Sequence, residues 1–258
     1  MNTNKSIKIY FERTIVTVFL IVAFTLVFFS QSVVAITAEE IINKRDENEY
    51  IESARIEAKM IITNVGREMT KEMISVSKGE DAFVEFTNPR DRGTKYLKKG
   101  DNLWMFFPDA EDVVKISGHM MNQGMMGSDF SYQDIMESTK MTELYNFELI
   151  GEGEYNNRSC YILEATAVEG KEVSYYKRKI WIDKERFIAL KEELYAQSGR
   201  LLKVSEVKEV DEFEGRYYPV RSIMENKLRE NTSTEFIVEK IEFNPEIDES
   251  IFTLENLQ

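Results

Sequence analysis

Ala54-Arg55-Ile56-Glu57-Ala58-Lys59-Met60-Ile61-Ile62-Thr63 is the stretch on which the fold turns. In an extended chain Ala54, Ile56, Ala58, Met60 and Ile62 fall on one face, and Arg55, Glu57, Lys59, Ile61 and Thr63 on the other. That is the period of two expected of a half-buried strand. The same alternation recurs over residues 68–77, 82–87, 95–99, 102–107 and 113–117. Gly79-Glu80-Asp81, Asn88-Pro89-Arg90-Asp91 and Lys99-Gly100-Asp101 punctuate the runs as turns, so the pattern is one of hairpins in series. It resumes over residues 147–152, 159–167, 175–183, 187–196, 201–210, 217–225 and 234–243. Roughly eleven or twelve strands joined by short turns must curl or close, because large open twisted sheets are rare.

Ahead of the first strand, Thr37-Ala38-Glu39-Glu40 has capping-box spacing and opens a short helix carrying Ile41 and Ile42. Residues 1–35 differ in composition from the rest. Lys5, Lys8 and Arg13 precede an apolar run over residues 15–29, and Val33-Val34-Ala35 offers small residues for a signal peptidase. The run falls short of the roughly 20 residues a spanning helix needs, so the segment reads as a secretory signal peptide cleaved after Ala35. An uncleaved anchor is the alternative. No Pro/Ser-rich linker follows, and residues 36–258 read as a single exported domain.

The chain has 258 residues, 33 Lys+Arg against 46 Asp+Glu, and a net charge of −13. Residues 1–35 contribute +2 through their three basic side chains and Glu12, leaving −15 on the exported part. Such a balance argues against nucleic acid, whose binding rests on Lys and Arg neutralising phosphates. Taken as a whole it would also repel an anionic bilayer. The one Cys and one His exclude CxxC-type zinc, haem and redox motifs and imply no cofactor and no metal site. No Gly-rich phosphate loop and no GxSxG elbow occurs, and His119 has no nucleophile or acid near it in sequence. The acidic pairs Glu39-Glu40, Glu111-Asp112 and Glu192-Glu193 read as solvated faces. Cys160 sits in an apolar strand as a small buried hydrophobe. Asn157-Arg158-Ser159 and Asn231-Thr232-Ser233 match the glycosylation pattern, a frequent chance match. Binding, not catalysis, is what remains, and the chain is expected not to be an enzyme.

One stretch breaks the strand pattern. Over residues 118–141 the sequence favours helix, and it contains Met120, Met121, Met125, Met126, Met136 and Met141 with Phe130 and Ile135. Helix-on-sheet packing needs an apolar face anyway. Met-rich surfaces also adapt to ligands of variable shape, such as flexible acyl chains.

The chain resembles the outer-membrane lipoprotein-sorting proteins of the LolA-like superfamily. The resemblance is carried by Gly93-Thr94-Lys95-Tyr96-Leu97, by Gly100-Asp101-Asn102-Leu103-Trp104-Met105-Phe106-Phe107-Pro108, and by the Met-rich segment ending in Met126-Gly127-Ser128-Asp129-Phe130-Ser131-Tyr132-Gln133-Asp134. Tyr217-Tyr218-Pro219 and Asp248-Glu249-Ser250-Ile251-Phe252-Thr253 add to it. It implies a mainly β fold, a large antiparallel sheet curled into a half-open barrel of about eleven strands, with short helices covering the concave face. It implies a non-enzymatic carrier of lipoprotein or phospholipid acyl chains. Its partners would be those chains, a membrane exporter or acceptor protein, and a bilayer touched transiently. A regulator of the same fold that senses lipid or lipoprotein is the other role it implies. In classical members an Arg from the sheet ties the cover shut, and no position here identifies that Arg. The candidate ligand-binding residues are Met120, Met121, Met125, Met126, Phe130 and Met136 in the cover, with Trp104 and Phe106 on the sheet wall. Leu103, Met105 and Phe107 occupy the opposite face of that strand, and alternation alone leaves open which set points inward.

Overall fold

A computed structural model describes residues 36–137, 141–213 and 215–257. The expected signal segment, residues 1–35, lies outside the described residues. Residues 37–258 form one compact unit that contains the core described below.

Thirteen antiparallel strands follow one another in a single sheet: β1 (Ser53–Asn64), β2 (Arg67–Lys78), β3 (Asp81–Phe86), β4 (Lys95–Lys99), β5 (Asn102–Phe107), β6 (Asp112–Ile116), β7 (Tyr145–Tyr155), β8 (Arg158–Ala167), β9 (Lys177–Asp183), β10 (Ala189–Tyr195), β11 (Leu201–Phe213), β12 (Arg216–Asn226) and β13 (Thr232–Phe243). Their spatial order is β6-β5-β4-β3-β2-β1-β13-β12-β11-β10-β9-β8-β7. Two meanders therefore run outward from a central seam in which β1 pairs with β13, Met60 opposite Phe236 and Ile62 opposite Thr234. The sheet curls without closing, and β6 and β7 are its two edges. Bulges at Glu57/Ala58, Leu149/Gly151 and Val207/Glu209 bend strands that would otherwise be too long and flat to curl.

This order fixes the path of the segment between β6 and β7. The chain leaves one edge after β6 and enters the other at β7, and the described residues between them, 117–137 and 141–144, lie against a face of the sheet. They form 3₁₀ turns at Gly118–Asn122, Met125–Gly127 and Met141–Glu143 and a short α-helix at Tyr132–Met136. The helical cover expected over 118–141 is thus mostly irregular. The reason is local: Met126 (φ 52°) and Gly127 (φ 83°) are left-handed, and a Cβ at Gly124 would stand 2.0 Å from the Ser128 carbonyl oxygen.

Alternation distributes the two faces. Ala58, Met60, Ile62, Met73, Phe86, Tyr96, Leu103, Met105 and Ile116 point toward the crossing segment and form the main core with Met125 and Tyr132. The other face of β2 to β5 presents Val76, Phe83 and Leu97, covered by Phe252 and Leu257 of the C-terminal segment. Helix Ala38–Glu49 begins with the expected capping box, Glu40 N–H to Thr37 Oγ1 at 3.1 Å and Thr37 N–H to Glu40 at 2.8 Å. Its Ile41 and Ile42 are wholly buried, each worth about 1.5–3 kcal/mol of apolar burial. Cys160 is buried as expected. Among the described residues no helix is long and apolar enough to cross a membrane.

Candidate functional site

The crossing segment and the sheet beneath it are joined by two kinds of contact. Apolar contact dominates on the β1 to β6 side. Met125 is buried there, and Met120, Met121, Met126, Phe130, Ile135 and Met136 pack half-buried against the same cluster. Sulfur meets aromatic hydroxyls: Tyr96 Oη donates to Met126 Sδ at 3.3 Å and lies 3.3 Å from Tyr132 Oη. Phe130 meets Phe236 of β13 edge to face, centroids 6.4 Å apart. Burial, with the neighbouring Tyr132, holds the Tyr96 hydroxyl protonated well above the usual phenol range.

Polar contact dominates toward the β7 edge, through three carboxylates of the segment. Asp129, almost fully buried, accepts from Thr234 Oγ1 at 2.9 Å, Thr232 Oγ1 at 3.1 Å and Arg229 at 2.6 Å, and its own N–H donates to Thr234 Oγ1 at 2.8 Å. Asp134 caps helix Tyr132–Met136 with Ser131 and accepts from Tyr175 Oη at 2.6 Å and Lys203 Nζ at 2.7 Å. Glu137 pairs with Arg178 and accepts from Tyr145 Oη at 3.0 Å. Arg178 also donates to Glu192 at 3.2 Å, and its guanidinium lies over the rings of Tyr145 and Tyr175 at 4.9 and 5.3 Å. Burial opposes the charge on Arg178, but Glu192 and Glu137 outweigh it and raise its pKa. These anchors hold the cover down without any covalent tie.

A cavity of about 180 Å³ lies at this end of the cover, lined by Arg45, Asp134, Glu137, Met141, Leu144, Tyr145 and Arg178. It is polar and smaller than the roughly 300–1,000 Å³ of ordinary small-molecule sites. Met120, Met121, Met125, Met126 and Met136 lie in contact with the sheet core, so the cover sits down on the sheet. A second hollow of about 560 Å³ opens at the end of the sheet between the β1–β2 and β12–β13 turns.

Of the sequence candidates, Met120, Met121, Met125, Met126, Phe130 and Met136 are brought together over the concave face. Trp104 and Phe106 are not among them. They point to the opposite face, packed with Leu97, Phe252 and Leu257, with Lys115 and Lys95 over their rings. Leu103 and Met105 line the concave wall instead, because the C-terminal segment occupies the other side. His119 is exposed on the cover. Sequence reasoning missed Arg178, Tyr145, Tyr175 and Lys203. Arg178, Tyr145 and Lys203 lie on strands whose alternation identifies a face, Tyr175 lies in the connection just before β9, and nothing local signals that any of them meets a carboxylate far along the chain.

A family model described as "Uncharacterized protein" matches residues 78–258. No curated protein matches the chain. Solved structures similar to it include a DUF1329 family protein from Desulfovibrio piger, 25% identical over 86% of this chain and 98% of that one, with a TM-score of 0.79. Another is an outer membrane lipoprotein-sorting protein domain from Vibrio parahaemolyticus, 24% identical over 84% and 97%, TM-score 0.75. A third is a LolA superfamily protein from Nitrosomonas europaea, 27% identical over 86% and 100%, TM-score 0.72.

Proposed function

We propose that this chain, which belongs to the family whose model matches residues 78–258, is an exported, non-enzymatic carrier that takes acyl chains of a lipoprotein or phospholipid beneath its Met-rich cover. The observation that supports this reading most is the cover itself. A segment spanning both edges of a curled sheet presents Met side chains to an apolar wall, and polar groups at its other end hold it down. The likeness to the lipoprotein-sorting domain and the LolA superfamily protein supports the same reading.

The energetics require such a device. Each buried CH₂ is worth about 0.8 kcal/mol, so a 16-carbon chain in water costs on the order of 12 kcal/mol. A carrier must match that burial yet release its cargo, which needs open and closed states only a few kcal/mol apart. Lifting the cover exposes flexible Met side chains that can close again on an acyl chain in place of the wall side chains they now touch. The anchoring carboxylates and cations regain water when they part, which limits the cost of opening. Residues 1–35 act as the cleaved export signal, and the domain works without turnover of its cargo.

Lipid extraction of the purified domain followed by mass spectrometry should find co-purified phospholipid or lipoprotein. Met121→Asp combined with Met126→Asp should abolish that lipid in native mass spectra. Undiminished lipid in the double variant would remove the cover from the site. Hydrolysis of lipid by the wild type would overturn the carrier reading, and a stable complex with a membrane protein in the absence of any cargo would favour a sensor.

A further inference from the structure

The β1–β2 hairpin turns on Val65-Gly66, both in the left-handed region at φ 47° and 76°. Two consecutive positive φ values make a type I′ turn, for which Asn-Gly is the favoured pair and a β-branched residue a poor choice. Nothing packs against Val65 to compensate: its side chain is 75% exposed. The hairpin therefore keeps an apolar tip in water where a polar residue would serve the turn better. Val65 N–H donates to Asn231 O at 3.1 Å, which ties the tip to the β12–β13 connection, and there Leu228 is 48% exposed. Tyr176, at the end of the β8–β9 connection, is 41% exposed.

Register places these connections at one end of the sheet. Asn64 pairs with Thr232, Lys203 with Asn226, Leu194 with Lys203, and Arg178 with Leu194, so strand ends from β1 to β9 lie level. The connections that lie level at this end, residues 64–67, 168–176, 196–200 and 227–231, hold five basic and three acidic side chains in a domain of net charge −15, and the β3–β4 and β5–β6 connections, residues 87–94 and 108–111, set back on the same side, add two basic and three acidic. At the opposite end, residues 50–52, 79–80, 100–101, 184–188 and 244–249 hold two basic and seven acidic ones. An anionic surface would attract the first end and repel the second.

We propose that this end docks on an anionic bilayer. The apolar side chains are isolated tips on separate turns, suited to shallow insertion among headgroups and not to a continuous protein interface. Tyr176 brings an amphipathic ring of the kind enriched at that depth. The hollow of about 560 Å³ between Val65 and Lys227, lined by Thr63, Glu225, Asn226, Arg229 and Ser233, gives a phosphate headgroup room beside two cations, which it would have to share with their present carboxylate partners, Glu225 on Lys227 and Asp129 on Arg229. Arg229 holds Asp129 of the cover at 2.6 Å, so a headgroup at Arg229 competes with that hold on the cover. Docking thereby deepens the carrier reading by naming the surface at which cargo would pass.

Sedimentation of the domain, residues 37–258, with vesicles tests it. Binding is expected to mixed phosphatidylcholine–phosphatidylglycerol vesicles and not to phosphatidylcholine alone. Val65→Asn with Leu228→Asn should weaken that binding several-fold while the melting temperature holds or rises, since Asn suits the turn. Arg67→Gln and Lys227→Gln should each weaken it about fivefold, and Leu254→Asn, exposed on the other side, should not. Failure to bind anionic vesicles, equal binding to neutral ones, unchanged binding by the rim variants, or binding only to a solubilised membrane protein would overturn the proposal. A protein that docks as described but contains no co-purified lipid would uphold docking and overturn the carrier reading, so the two fail separately.

Discussion

Glu49 ends the N-terminal helix partly buried, paired with Arg45, with Asp46 and Glu192 also close. Burial disfavours its charge and Glu192 and Asp46 repel it; together they outweigh the attraction of Arg45 and push its carboxyl up to about 7. The folded chain therefore holds a proton that the unfolded chain, near the ordinary 4.5, gives up sooner. The sign follows: the contribution is present in full below about pH 4.5 and is lost as pH rises through about 7, on the order of 3 kcal/mol in all. Glu49→Gln keeps the neutral shape and removes the titration. In urea denaturation the variant should gain stability relative to wild type between about pH 5 and about pH 7.5, and parallel profiles would refute this. Arg178 carries the opposite lesson, because replacing it by Met strands Glu137 and Glu192 in a buried site. A loss of about 3–5 kcal/mol is expected, read from the same denaturation curves.

Among the elements, the strands were legible because most of them meet water on one face and the core on the other, so burial writes itself into every second residue. Ile41 and Ile42 were legible through the capping box that fixes where their helix starts. The cover was legible as a composition and not as a conformation. Its Met and Ile residues suggested helix, but Gly118, Gly124 and Gly127 break it into turns short enough to follow a concave wall. The face taken by Trp104 and Phe106 was illegible for another reason. Both faces of β5 are apolar, and only the return of the C-terminal segment to one of them decides which is which. Gly124→Ala tests the cover as an element. The added methyl collides with the Ser128 carbonyl and breaks the Gly124–Ser131 bridge, so limited proteolysis within residues 117–137 should quicken. The global stability loss should be only about 1–3 kcal/mol, since the sheet itself is untouched.

At the scale of the molecule, the seam between β1 and β13 joins residues from the two ends of the domain. Lys59 and Glu239, linked at 2.7 Å across it, are 180 positions apart. Hairpins such as β1–β2 and β11–β12 close short loops, whereas the seam must wait for a long one. Pulse-labelled hydrogen exchange during refolding should find amides bonded within β1–β2 and β11–β12 protected before those bonded between β1 and β13. Simultaneous protection would show that the halves do not fold first. The cover obeys the same connectivity. It leaves β6 at Ile116 and enters β7 at Tyr145, the two free rims of the arc, so in mechanical terms it is a bowstring and not a flap. A flap has a free end and swings; a string fixed at both tips of a bow can only slacken when the tips approach or bow outward when its middle is pushed. An elongated guest would then slide in lengthwise under the string from an open end of the arc, and any bending of the sheet would be felt at once as tension along the Met-rich segment.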